Sequence, residues 1–304
     1  MPPTVTAPAP YPETLVARLP TDRATAHHIA DALAEALDPE TSAVSMFESA
    51  EGWTVETAFH DEADEALIAA IVSQTAGAAL ANRLTFSTIA TRDWVAASLD
   101  GLAPVRAGRL VVHGAHDRAR IRPNETGIEI EAALAFGTGH HGTTRGCLLA
   151  FEMLRNQARD ARNWRILDVG TGTGVLAIAA VRSLHVPVLA TDIDPLAVVV
   201  ARDNARLNRV APLFAAAVAS GVRAGFIRSN GPYDLIFANI LEAPLRRMSA
   251  PLSALLAPSG RLILSGLLAA HGPSVIAAYR RQGLRLQTRL TLDGWVTLIV
   301  RRGR

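Results

Sequence analysis

The sequence predicts an α/β chain: a Rossmann-like sheet that ends in an antiparallel hairpin, preceded by a small α+β ferredoxin-like unit. Three observations carry that reading. From Ile128 onward, short apolar strands alternate with helical patterns, which implies parallel strands joined by crossover helices. A glycine-rich turn, Gly170-Thr171-Gly172-Thr173-Gly174, stands between a buried strand and a helix. The first ninety residues run βαββαβ, the order of a split βαβ unit.

The N-terminal elements follow from periodicity. Thr14 to Leu19 is strand-like, and Asp22 to Leu37 places Ile29, Leu33 and Leu37 at helical spacing behind an acidic start. Ala43 to Phe47 and Trp53 to Phe59 are extended segments around a turn at Ser49 to Gly52. Asp61 to Thr75 is helical with Asp61 as the expected N-cap, and Leu84 to Ile89 closes the unit as a strand. In the second half, strands are expected at Arg165 to Val169, Val188 to Asp192, Leu235 to Asn239 and Arg261 to Ser265. Helices are expected at Thr173 to Ser183 and Pro195 to Asn208. Leu284 to Leu290 and Trp295 to Arg301, joined by Asp293-Gly294, form the closing hairpin. The expected division is a disordered tail over 1–12, a recognition unit over 13–92, a linker over 93–125 and the α/β domain over 126–304.

Composition narrows the function classes. A hydrophobic fraction of 49% with 19% charged residues fits a chain with a core, and no apolar run approaches the ~18 residues that span a bilayer. The start MPPTVTAPAPYP has no basic region and no apolar block, so no signal peptide is expected. A single cysteine, Cys147, excludes an internal disulfide framework and points to a reducing cytoplasm. The chain contains no lysine, which a GC-rich coding sequence explains best. Residues 1–100 hold 15 acids against 4 Arg, and the remaining residues hold 26 Arg against 13 acids. An acidic front half would attract a basic macromolecule and repel nucleic acid, so direct nucleic-acid binding is not expected.

The chemistry gathers at strand ends. Glycines at 170 and 172 let the backbone turn sharply and approach a ligand, as no Cβ intervenes. Asp168, two residues before, would repel a phosphate but suits an ammonium. Asp192 lies 22 residues after Gly170 at the end of the next strand, where a carboxylate accepts both hydroxyls of a ribose. Asp194 is expected to cap the following helix. Asn239 ends a third strand and would face the same crevice, offering directional hydrogen bonds without charge. Adjacent His140 and His141 have no third ligand at a suitable spacing, so no metal site is expected.

The combination AFGTGHHGTT, ILDVGTGTGVLAIAA, TDIDPLAV, DNARLN, DLIFANILEAPL, LSG and GWVTLIVRR resembles the bacterial ribosomal protein L11 methyltransferase family over residues 93–304. The resemblance implies a Rossmann-like methyltransferase sheet and S-adenosylmethionine as cofactor. It implies a ferredoxin-like N-terminal unit that binds a basic ribosomal protein. It also implies cofactor contacts from Thr144, Gly170, Asp192 and Asn239, with Phe136 beside the reactive methyl. His140 and Gly142 stand where many relatives have Thr and Pro. After the third core strand, Ala219-Ser220 offers no carboxylate for an adenine amino group, so a backbone amide or Ser220 would serve. A cytoplasmic monomer transferring methyl groups to amines is the expectation. The tetrad Asn/Asp-Pro-Pro-Tyr/Phe, which suits planar amides or bases, is absent, since Asn239 leads into Ile-Leu-Glu. A methyltransferase of another protein or small amine, a nicotinamide-dependent oxidoreductase and a silent binding module remain as alternatives. The spacing G-T-G-T-G, which lacks G-x-G-x-x-G, counts against the oxidoreductase.

Overall fold

A computed structural model describes residues 14–38, 42–49, 52–59, 64–89, 104–130, 141–158 and 160–303. The N-terminal unit contains β1 (Thr14–Thr21), α1 (Arg23–Ala36), β2 (Ser42–Ser49), β3 (Gly52–Phe59), α2 (Glu65–Ala76), α3 (Ala78–Ala81) and β4 (Thr85–Ile89). Its sheet has the order β2-β3-β1-β4 with every neighbouring pair antiparallel, the ferredoxin-like arrangement. Alternation decides which face is covered by helices. Leu19, Val55 and Phe59 pack under Ile29 and Leu33 of α1 and Ile68 and Val72 of α2. On the other face Arg18 pairs across the strands with Glu56, Nε to Oε2 at 2.6 Å, and Glu56 is fully buried.

Asp22 caps α1, its Oδ1 accepting from the N–H groups of Ala24 and Thr25 at 3.0 Å each. The second helix starts later than the acidic run suggests. Its cap is Asp64, whose Oδ1 accepts from Leu67 N at 3.0 Å, and Asp61 lies outside the described residues. The buried pair Ile68 and Val72 fixes the helix phase, and Asp64 sits one turn ahead of it.

The segment expected to be a linker holds strands. β5 (Val105–Ala107), β6 (Leu110–His113) and β7 (Thr126–Glu129) form a small sheet, with a 3-10 turn at Ala115–Arg120 between the last two. Ala107, Leu110 and Ile128 belong to the same apolar cluster as Leu148 and Phe151 of α4 (His141–Gln157), so this sheet is packed against the main core.

The main sheet comprises β8 (Ile166–Val169), β9 (Val188–Asp192), β10 (Phe214–Val218), β11 (Tyr233–Asn239), β12 (Leu256–Leu268), β13 (Leu284–Leu292) and β14 (Trp295–Arg302). Its order is β10-β9-β8-β11-β12-β14-β13. The first five strands are parallel, and β14 is antiparallel to both β12 and β13. Between the strands run α5 (Val175–Leu184), α6 (Pro195–Leu207), α7 (Gly225–Ser229), α8 (Glu242–Arg247), α9 (Ser249–Leu255) and α10 (Gly272–Arg281). The order reverses between β8 and β11, and their carboxyl ends open a crevice there, where α/β sheets bind ligands. β12 outruns its expected bounds because Leu267 and Leu268 resume pairing with Val296 and Trp295 after a register shift. Gly266 lies in that shift at φ +85°, and a Cβ there would stand 2.3 Å from the Ile240 carbonyl oxygen.

Candidate active site

The crevice is a cavity of about 430 Å³, within the range of small-molecule sites. Its floor comes from strand ends: Gly170 and Gly172 after β8, Asp192 on β9 and Asn239 on β11. The turn is held in place by the neighbouring strand. Gly170 N and Thr171 N both donate to the Thr191 carbonyl, at 2.8 and 3.0 Å. Glycine is required at 170, where φ is +67° and a Cβ would stand 2.4 Å from Ile240 Cγ2.

Asp192 has its carboxylate fixed by two backbone donors, Gly172 N to Oδ2 at 2.8 Å and Asp194 N to Oδ1 at 3.1 Å. Asp192 itself lines the cavity. Burial pushes its pKa up to about 6, against the opposing pull of those amides. Asp194 caps α6 as expected, Oδ1 accepting from Leu196 N at 2.8 Å. Asn239 is half-buried, and its amide takes no hydrogen-bond partner among the described residues. That leaves it to a ligand.

Two expected cofactor residues stand back from the cavity. Asp168 is fully buried, and its Oδ2 accepts from Thr171 Oγ1 at 2.7 Å and Ala177 N at 3.3 Å. It therefore braces the glycine turn against the first turn of α5. Its Oδ1 is buried without a partner, and burial pushes the pKa up to about 7. Thr144 is buried, and its neighbour Thr143 lines the cavity instead. Phe136 and His140 lie outside the described residues, as does the His141 side chain. Ala219 N donates to the Asp192 carbonyl at 2.8 Å, which removes that amide as an adenine contact and leaves Ser220 on the cavity wall. Cys147 is buried, its thiol pushed up to about 12, so it is inert as a nucleophile.

The opposite wall comes from residues with no local signal in the sequence. Ala34 and Leu37 from the end of α1, Met46 from β2, Ala58 from β3 and Trp295 from the hairpin all line the cavity. The N-terminal unit is docked there through α1. Arg247 Nη2 donates to the Ala34 carbonyl at 2.6 Å and Arg23 Nη2 to the Asp293 carbonyl at 2.7 Å. The Arg23 guanidinium also lies over the rings of Trp53 and Trp295, 5.4 and 5.5 Å from their centroids.

The residues of the DNARLN run prove to be scaffold. Asn204 Nδ2 donates to the Thr173 carbonyl at 2.9 Å, bracing the glycine turn from α6. Asn208 exchanges two bonds with Glu129, Oδ1 accepting at 2.9 Å and Nδ2 donating at 2.6 Å. This anchors the chain just ahead of residues 131–140.

A turn of left-handed glycines beside a ribose-type carboxylate and an unpartnered amide fits a nucleoside ligand but does not name it. The comparisons do. A sequence profile of the family described as ribosomal protein L11 methyltransferase (PrmA) matches residues 11–303. The chain belongs to that family. The ribosomal protein L11 methyltransferase of Rhodopseudomonas palustris (strain BisB5) is 51% identical over 280 residues, covering 92% of this chain and 94% of the relative. That of Bradyrhizobium diazoefficiens is 49% identical over the same length, with the same coverage. The crystal structure of ribosomal protein L11 methylase from Lactobacillus delbrueckii subsp. bulgaricus superposes with a TM-score of 0.57 and 27% identity, covering 67% of this chain and 100% of that one. The ribosomal protein L11 methyltransferase family places this chain among S-adenosylmethionine-dependent methyltransferases. The fold expected from the sequence is the fold found, and no helix among the described residues is long and apolar enough to cross a membrane.

Proposed function

We propose that the enzyme methylates amines of ribosomal protein L11, at lysine side chains, the N-terminal amine or both. The observation that carries this reading is the union, in one cavity, of Gly170, Gly172, Asp192 and Asn239 with a wall from the N-terminal unit. S-adenosylmethionine supplies there a methyl group on a sulfonium, open to in-line attack by a neutral nucleophile.

The residues divide the work of holding it. Asp192 would accept the two ribose hydroxyls on lone pairs that its backbone donors have already oriented. Gly170 and Gly172 let the main chain lie against the amino-acid moiety. Asp168 acts from behind the turn as a positioning residue, its Oδ2 holding Thr171 and the first turn of α5 in place. Thr144 is buried behind Thr143, which lines the cavity, so a role for it would be to position that neighbour. Asn239 would hold the incoming amine by its side-chain carbonyl, aligned for attack. Phe136 is proposed as the apolar neighbour of the methyl on resemblance alone. Alignment and water exclusion are worth up to several kcal/mol, roughly the scale of good intramolecular positioning.

The amine must shed a proton before it attacks. Desolvation in the apolar part of the cavity, which Met46, Ala58 and Val222 help to line, would lower its pKa. The acidic N-terminal unit supports a basic partner. Glu35 and Asp38 are exposed and close in sequence to Leu37, a residue of the cavity wall. We read the protein as a cytoplasmic monomer that meets L11 without binding nucleic acid directly. Mixing purified enzyme, labelled cofactor and separated ribosomal proteins tests this: label should enter L11 and be lost with Asn239→Ala. Label in RNA or in other proteins alone would refute it.

A further inference from the structure

A second cluster lies at the joint between the two parts of the chain, and none of its residues lines the cofactor cavity. His27 and Asp31 stand one turn apart on α1, and His271 immediately precedes α10. One ligand-type atom from each lies within 4.8 Å of the other two. His271 Nε2 is 3.7 Å from Asp31 Oδ2, and the rings of His27 and His271 meet edge-on with centroids 5.9 Å apart. The fourth member turns the cluster from a chance meeting into a recognisable arrangement. Glu242 Oε2 lies 3.4 Å from His271 Nδ1, on the far side of the ring from Asp31. Glu242 is itself held by the Ser274 hydroxyl and by Arg246 Nη1 at 3.5 Å.

We propose that His27, Asp31 and His271 form a binding site for a divalent transition metal of the zinc class, which clamps α1 onto the catalytic domain. Two imidazoles and a carboxylate are the donor set such an ion prefers over magnesium or calcium, and three protein ligands leave a fourth position for water. Glu242 Oε2 faces Nδ1 of His271 at 3.4 Å, the place of an outer carboxylate that would orient a metal-bound histidine and present its Nε2 to the ion. Tetrahedral bonds of about 2.0–2.2 Å put ligand atoms roughly 3.4 Å apart, so atoms that now lie within 4.8 Å of one another close by up to about 1.4 Å, a side-chain adjustment. His27 is buried and also packs on Trp295 at 4.9 Å between centroids, so the ion would hold a joint that already carries the Arg23 and Arg247 contacts.

The test uses untagged full-length protein, freed of metal by a chelator and titrated with zinc chloride against a chromophoric competitor. One equivalent should bind with micromolar or tighter affinity, and cobalt chloride should give the visible absorption of a four-coordinate site. Asp31→Asn and His271→Gln should each weaken zinc binding at least tenfold and abolish the zinc-dependent rise in melting temperature. Retained binding of S-adenosylhomocysteine shows that the variants are folded. Zinc bound equally by wild type and both variants, or not bound by the wild type, overturns the site, and neither result touches the methyltransferase reading.

Discussion

The backbone N–H of Gly172 donates to Asp192 Oδ2 over 2.8 Å, so the glycine turn and the carboxylate of the next strand form one rigid unit. The same carboxylate that would grip the ribose therefore also fixes the turn that approaches the rest of the ligand.

Asp192→Ala should weaken S-adenosylhomocysteine binding by roughly 10- to 100-fold, since two hydrogen bonds to a charged group, at about 1.5–3 kcal/mol each, are lost and partly replaced by water. Titration calorimetry checks it. Unchanged affinity would mean that the nucleoside lies elsewhere.

Affinity for the same ligand should depend on pH through Asp192, whose pKa burial raises to about 6. Only the ionised carboxylate accepts two hydroxyls, so binding should strengthen from pH 5 to pH 7 and then level off. A flat profile across that range would remove Asp192 from the contact.

Asp168 makes a separate statement about stability. Its folded pKa of about 7 exceeds the ordinary 3.8, so the folded state keeps a proton that the unfolded chain releases. The associated stability is present below pH 4 and is lost as pH rises through 7, at about 1.4 kcal/mol for each pH unit crossed. Asp168→Asn removes the titrating group. The melting temperature of the variant should gain on the wild type between pH 4 and pH 7, and parallel curves would refute the assignment.

Gly146→Ala sets two effects against each other. Alanine improves helix propensity by about 1 kcal/mol. The added Cβ would stand 2.2 Å from Thr297 Oγ1, where α4 crosses the hairpin, and overpacking of this kind costs about 1–3 kcal/mol. The clash wins, so the variant should melt at a lower temperature. Adding Thr297→Ala should restore part of the loss, and an additive double variant would show that the contact is not the cause.

Loss of the Arg247 side chain tests the joint. With Arg247→Ala the Ala34 carbonyl loses its donor across the interface, and amide exchange over the last turn of α1 should quicken while β8 stays protected. Equal protection in both proteins would mean that α1 is held by its apolar contacts alone.

The local sequence determined a good deal here. Periodicity located β8, β9 and β11, whose ends form the floor of the site, because each is a short apolar run ending in a polar or glycine residue. Gly170, Asp192 and Asn239 were legible as a set, since strand ends in a parallel sheet meet at one edge whatever the intervening helices do. Helix starts were less so: three nearby acids precede α2, and only the buried phase of Ile68 and Val72 selects Asp64. Within the expected linker the extended stretch Arg109 to His113 was legible and is β6, whereas β5, three residues long and stabilised by packing on α4, was not.

Tertiary structure alone decided which neighbours of the motif residues line the cavity. The sequence offered Asp168 and Thr144, and the fold turned one beneath the glycine turn and set Thr143 in place of the other. It also supplied the second wall of the cavity and brought His271 to His27 and Asp31. Contacts between residues so distant in sequence leave no spacing to read: they arise when apolar faces are buried together, and burial, unlike a turn or a cap, is settled by the whole chain at once.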